Sequence, residues 1–206
     1  MGFYADHVVP RVVRVVCAHR FFEPWRRQVC AGLSSVVLEI GFGSGANLAH
    51  LPAEVRQVIA VEPAAQARRL ARSQARRHGV PVRFLDVVGG RLPLDDDSVD
   101  SALCTFTLCT VEDPVAVLNE IRRVLKPGGV LHFLEHGLSP DPRTARWQRR
   151  LNGLEQRLAG GCQLTRDAAT LVRDAHFEVQ EIERRHAGGP APWSYFTLAL
   201  GTKPPV

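Results

Sequence analysis

Three glycines at alternate positions, Gly41, Gly43 and Gly45, follow the apolar run Val36-Val37-Leu38-Glu39-Ile40 and precede Ala46-Asn47-Leu48. Glycines between a strand and a helix let the backbone approach a ligand closely and take up positive φ. In an open α/β sheet such a loop lies at the carboxyl ends of the strands, where ligands bind. Gly41, Gly43 and Ala46 fit the dinucleotide pattern GxGxxG/A, and Glu62 lies about where a ribose-binding acid belongs, so a nicotinamide oxidoreductase is one reading. Glu39 favours another. A carboxylate just before the loop repels a pyrophosphate but helps to hold a cationic cofactor that carries an amino acid. S-adenosylmethionine fits that description, with an ammonium at its methionine end and a sulfonium sulfur. Glu62, followed by Pro63, can then accept bonds from both ribose hydroxyls.

A second group of reactive side chains comes later. His136 is expected beyond the carboxyl end of a strand, facing the crevice, and an unperturbed imidazole titrates near ~6.5, which suits a general base. Glu135 would orient that base or bind a substrate cation. Cys104 and Cys109 read as small core residues, with Cys109 also placed among the groups that would touch the substrate. Trp147 would belong to a substrate cap, and Tyr4 and His7 would close over the cofactor from the N-terminal side. The five cysteines form no Cys-x-x-Cys pair, which suits free thiols in a reducing compartment and no metal site.

The elements that must position these groups alternate. Strands are expected at Val36–Ile40, Gln57–Val61, Val82–Leu85, Val99–Phe106 and Val130–Glu135. Helices are expected from Ala46 to Leu51 and from Ala64 to His78. Another begins after the Asp113-Pro114 cap and ends at Lys126-Pro127-Gly128-Gly129. This order predicts an α/β fold with a parallel sheet and helices on both faces. Asp141 to Leu158 is expected to be helical, and Thr165 to cap a short helix ending at Ala175. Phe177–Glu183 and Tyr195–Gly201 then suggest a hairpin at one sheet edge.

At 206 residues the chain is read as a single domain: a helical cap over 1–33, a cofactor-binding core over 36–136, and cap helices with late strands over 139–206. Hydrophobic residues make up 45% and charged residues 23%, values of an ordinary globular protein. The net charge of +5 is almost all arginine, with lysine only at Lys126 and Lys203. The cluster Arg68, Arg69, Arg72, Arg76 and Arg77 reads as a solvated helix face rather than a nucleic-acid patch. Val8 to Val16, interrupted by Arg11 and Arg14, forms an amphipathic pattern that would cover the site or touch a membrane surface peripherally. No run suits a transmembrane span or a signal peptide, which points to the cytoplasm.

The stretches Leu92-Pro93-Leu94-Asp95-Asp96-Asp97-Ser98-Val99-Asp100 and Leu125-Lys126-Pro127-Gly128-Gly129 resemble the approaches to the fourth and fifth strands of class I S-adenosylmethionine-dependent methyltransferases. Three further stretches narrow the resemblance: Cys104 to Val111, Phe133-Leu134-Glu135-His136, and Gly161-Cys162-Gln163-Leu164-Thr165-Arg166. They resemble the methyltransferase-like protein seven group, which includes membrane-associated animal enzymes that methylate alkyl thiols. Met1-Gly2-Phe3-Tyr4 with His7 and Pro10 looks like its bacterial branch.

The resemblance implies a Rossmann-like seven-stranded sheet, mostly parallel, with an antiparallel edge strand. It also implies that Thr107 and Leu108 border the cofactor. They stand where nucleobase-amino methyltransferases carry an Asn/Asp-Pro-Pro-Tyr/Phe stretch, and its absence argues against a nucleic-acid substrate. Many class I enzymes place an acid after the third strand to meet the adenine amino group. Here Val87-Val88-Gly89-Gly90-Arg91 stands in its place, leaving Asp86 or the backbone around Gly89 and Gly90 for that task. The function so implied is methyl transfer to a small, fairly apolar acceptor, first an alkyl thiol, then a lipid amine or quinone-type acceptor. A non-catalytic cofactor-binding module is the more distant rival.

Overall fold

The computed structural model describes residues 19–205. Seven strands form one sheet: β1 (Ser35–Ile40), β2 (Val55–Val61), β3 (Val82–Leu85), β4 (Val99–Thr105), β5 (Leu125–His136), β6 (Glu178–His186) and β7 (Tyr195–Thr202). Their order is β3-β2-β1-β4-β5-β7-β6. Strands β1 to β5 pair in parallel, while β7 runs antiparallel to both β5 and β6. The chain winds outward from β1 to β3 and then returns to β4 on the other side of β1. The gap between the ends of β1 and β4 is therefore the topological switch point, the place where such sheets bind ligands.

Among the described residues five helices flank the sheet: α1 (Glu23–Cys30), α2 (Ala65–His78), α3 (Pro114–Val124), α4 (Pro142–Leu158) and α5 (Ala168–Asp174). The pleat sends alternate strand residues to opposite faces. Leu38, Ile40 and Cys104 pack with Leu118, Ile121 and Val172 of α3 and α5, whereas Val37 and Leu103 pack with Trp25, Val29, Ala71 and Ala75 of α1 and α2. Glu39 therefore falls on the α1 side.

Aspartate caps start three helices. The carboxylates of Asp113, Asp141 and Asp167 accept from the N–H groups of Ala116, Thr144 and Thr170, with proline at the first position of α3 and α4. The cap of α5 is thus Asp167, two residues beyond the expected Thr165. The intervening Arg166 is drawn away from the helix to the carbonyls of Leu108 and Val111. The helix expected at Ala46–Leu51 is only one 3-10 turn, Leu48–His50. Pro52 disfavours helical geometry at Leu51 and so stops its growth. The Lys126-Pro127-Gly128-Gly129 turn lies within β5, as an irregularity where the partner residue jumps from Leu125 to Val130.

Helix α4 is anchored by one amide. Gln148 is fully buried, accepts from the Ser139 N–H at 2.8 Å and donates to the carbonyls of Gly137 and Pro192 at 3.0 and 3.1 Å. Gln148→Leu should lower the unfolding free energy by about 1–3 kcal/mol, because those backbone groups lose their partner in a dry setting. Denaturant melts would read it, and an unchanged midpoint would mean that the anchor carries no stability.

Candidate functional site

The loop after β1 lies against the turn after β4. Gly41, Gly43 and Gly45 have φ of 75°, 56° and 81°. A Cβ on Gly41 would stand 2.0 Å from Thr107 Oγ1, so only glycine lets the two segments meet. Gly43 differs: its nearest neighbour would be the Gly41 carbonyl at 3.9 Å, leaving open space where a ligand can lie against the backbone.

Glu62, at the end of β2, holds this loop. Its carboxylate accepts from the N–H groups of Gly43 and Ala64, both at 2.8 Å. Each oxygen keeps a lone pair, so two hydroxyls of a ribose could still be accepted. Pro63 fixes the chain between these contacts.

Glu39 is buried at 1% exposure. Its Oε1 accepts from Asn47 Nδ2 at 2.8 Å, and Asn47 also bonds Thr105 Oγ1 and the Arg26 guanidinium. Its Oε2 has no hydrogen-bond partner. Burial raises its pKa to about 8, against the opposing pull of Asn47 and Arg26. A buried carboxyl with one idle oxygen, at the start of a loop with open space over Gly43, fits the ammonium-bearing end of S-adenosylmethionine.

The last two residues of β5 do different work. Glu135 is fully buried, and its oxygens accept from the N–H groups of Thr107, Leu108 and Cys109 at 2.8, 3.0 and 3.1 Å. Burial pushes its pKa up to about 7, while the three amides pull it down. Those amides take up the capacity that would orient His136 or bind a substrate cation. His136 is 6% exposed and its ring meets Phe196 edge-on at 5.4 Å. Neither ring nitrogen makes a hydrogen bond of good geometry, although the ring approaches the Cys162 thiol closely enough to favour its ionisation. A buried imidazole without partners is costly, which marks it as a candidate for chemistry.

Other expected residues are placed as follows. Thr107 and Leu108 are buried at the switch point, and Thr107 Oγ1 donates to the Ile40 carbonyl at 3.1 Å. Cys104 and Cys109 are buried. Asp86 is exposed and pairs with Arg68 at 2.6 Å. Gly89 and Gly90 form the tip of an exposed turn closed by the Val88 carbonyl and the Arg91 N–H, with φ of 61° and 77° that only glycine accepts readily. Trp147 is 54% exposed on α4, under the Arg150 guanidinium. Tyr4 and His7 lie outside the described residues, as does the expected Val8–Val16 helix. Among the described residues no helix is long and apolar enough to cross a membrane.

Sequence reasoning passed over Arg26, Asn47, Thr105 and Phe106. Arg26 is buried in α1 and reaches Asn47 and Thr105 across the sheet end. Phe106 takes φ of 55°, a strained conformation for an aromatic residue, and packs against Phe22 and Phe196 beside the crevice. Asn47 was the findable one, since it directly follows the glycine loop.

Comparison with known proteins agrees with the geometry. Residues 38–133 match the methyltransferase domain family. The fold is the Rossmann-like fold of S-adenosylmethionine-dependent methyltransferases of known structure. It is 38% identical to the thiol S-methyltransferase TMT1B of Rattus norvegicus over 151 residues, which is 71% of this chain and 62% of that protein. It is 32% identical to the demethylmenaquinone methyltransferase of Clavibacter sepedonicus over 59% of this chain and 51% of that one. The chain thus spans less than two thirds of the length of these relatives. A crystal structure of an S-adenosylmethionine-dependent methyltransferase from Thermotoga maritima, described as a possible histamine N-methyltransferase, superposes with a TM-score of 0.67 at 26% identity. The match covers 98% of this chain and all of that one.

The raised Glu39 pKa has a consequence for stability. A carboxyl that titrates higher in the folded than in the unfolded chain contributes most below the unfolded value and loses that contribution as pH rises through the folded one. For Glu39 the window runs from its ordinary value of 4.5 to about 8. The melting temperature of the native chain relative to Glu39→Gln should therefore fall as pH rises across that window. A gap that stays constant across it would contradict the raised pKa.

Proposed function

We propose that this protein transfers a methyl group from S-adenosylmethionine to a small, fairly apolar acceptor, first of all an alkyl thiol. One observation carries the reading: the buried, unpartnered imidazole of His136 at the end of β5, beside the turn after β4. The 38% identity to a thiol S-methyltransferase supports the acceptor class.

In this reading Glu39 faces the cofactor's ammonium and Glu62 its ribose hydroxyls. The backbone of Gly41, Gly43 and Gly45 lies along it, with Pro63, Thr107 and Leu108 at its border. Asp86, Gly89 and Gly90 are nearest the adenine side, and the open turn at 87–91 leaves that side to the backbone. When bound, the cofactor supplies a methyl group already activated by its sulfonium. The chain then has to align the acceptor in line with it and exclude water. A thiol reacts as its thiolate, and free thiols ionise near ~8.5. His136 takes the acceptor's proton on a ring nitrogen. Glu135 serves by holding the turn 107–109, and Cys109 by packing under it.

The rest of the reading is one domain in the cytoplasm, in the bacterial branch of the methyltransferase-like protein seven group. A quinone-type acceptor is the second reading, and the identity to a demethylmenaquinone methyltransferase favours it over other carbon acceptors.

The full chain, incubated with labelled S-adenosylmethionine and a panel of thiols, amines, phenols, quinols and lipids, should label an alkyl thiol. Labelling of a quinol alone would replace the acceptor class. His136→Ala should cut thiol methylation about 10²–10⁴-fold and leave cofactor binding within a factor of a few. An acceptor that is already anionic should be far less affected, and equal losses on both would make His136 a positioning residue. Glu62→Ala removes charge-assisted bonds of roughly 1.5–3 kcal/mol each, so cofactor affinity should fall about a hundredfold or more. Unchanged calorimetry would remove Glu62 from the site.

A further inference from the structure

The resemblance brought Cys162 into view without giving it a task. Its loop, after α4, lies on the turn after β4. The Gln163 N–H donates to the Cys109 carbonyl at 2.8 Å, and a Cβ on Gly161 would stand 3.2 Å from the Thr110 carbonyl. Just beyond, Arg166 Nη1 donates to the carbonyls of Leu108 and Val111 at 2.7 and 2.6 Å. Between these ties the thiols of Cys109 and Cys162 lie close enough to influence one another, and the ring of His136 lies beside Cys162. Cys109 is buried, whereas Cys162 is only partly buried. Both are free thiols.

The two sulfurs are not equivalent. Cys109 keeps its proton, because the Cys162 thiol lies beside it and it sits in a dry place near Glu135. Cys162 is drawn below the usual thiol range, first by the neighbouring Cys109 thiol and then by His136, with burial opposing. This is the arrangement of an attacking thiolate next to a protonated partner.

We propose that Cys162 and Cys109 form a reversible oxidation site, in which a small peroxide oxidises Cys162 and Cys109 resolves the product as a disulfide. The Cys162 thiolate attacks one oxygen of hydrogen peroxide, the O–O bond breaks, hydroxide leaves and Cys162 becomes a sulfenic acid. The Cys109 sulfur then attacks the Cys162 sulfur. The S–O bond breaks, and the hydroxyl leaves as water with the Cys109 proton. In sum two thiols and one peroxide give one disulfide and two waters, and a dithiol reductant reverses the change. The product cross-links the turn that carries Thr107 and Leu108 to the loop after α4. This inference stands apart from the methyl-transfer reading, since peroxide and a reductant are its only reagents.

The test uses the full chain, reduced, freed of reductant and titrated with hydrogen peroxide at neutral pH. Peptide mapping should find Cys109 linked to Cys162 within one chain, with recovery by dithiothreitol. Cys109→Ser should stop at a sulfenic acid on Cys162 that dimedone traps. Cys162→Ser should leave Cys109 unoxidised. A cross-link through Cys17 or between chains, or Cys109 oxidised equally in Cys162→Ser, would overturn the proposal. The native chain gives a second readout that needs no variant. Iodoacetamide should label Cys162 at a pH where glutathione is still mostly protonated, and labelling that begins only where glutathione's does would also overturn it.

Discussion

The crevice depends on one buried carboxylate. Glu135 gathers three successive amides, those of Thr107, Leu108 and Cys109, onto its two oxygens. Without that clamp the chain leaving β4 would have to solvate those groups in a dry interior, where each unpaired donor is costly. With it, the turn is fixed against the end of β5 on one side and the glycine loop on the other. Thr107 then reaches the Ile40 carbonyl, Cys109 receives Gln163, and Leu108 receives Arg166. Phe106 absorbs the strain through a left-handed backbone, held in place by the aromatic rings of Phe22 and Phe196.

What this rigid frame leaves unused is what makes it a site. The α1 face of the sheet end is polar: Arg26, Asn47, Thr105 and Glu39 share hydrogen bonds within an apolar shell. In that network Glu39 keeps one oxygen idle, and across the sheet end His136 keeps both nitrogens idle. The loop after Glu39 carries Gly43, whose backbone is open to approach. A cationic amino-acid group on one side and an acceptor proton on the other would each meet an unspent partner. The chemistry proposed follows from those two deficits together rather than from either one.

Much of the fold was legible because its periodicities are strong. The run Val36–Ile40, the acidic turn before Val99 and the Asp-Pro cap before α3 each point to one structure, and the late hairpin followed from the absence of a crossover. Less was legible where tertiary contacts compete with local pattern. Thr165 is an acceptable cap, yet Arg166 is pulled to the carbonyls of the β4 turn and the helix starts at Asp167 instead. Ala46–Leu51 has helical composition, but Pro52 leaves it only a single 3-10 turn. At the site, the glycines and the acids Glu39 and Glu62 announced themselves by position. Arg26 did not, because nothing local shows that a residue in α1 reaches across to Asn47 and Thr105. The role of Glu135 was likewise hidden, since its partners are amides 26 to 28 residues away.

The central claim is that Glu39 and the loop beside it receive the ammonium-bearing end of S-adenosylmethionine. Titration calorimetry in buffers of differing ionisation enthalpy tests it directly at neutral pH. The free carboxyl titrates at about 8, so a cation placed beside it should expel its proton. S-adenosylmethionine should bind the native chain with release of a substantial fraction of a proton, that release should disappear in Glu39→Gln, and NAD should give no heat of binding. Equal proton release from the variant, or NAD binding as tight as that of S-adenosylmethionine, would contradict the account.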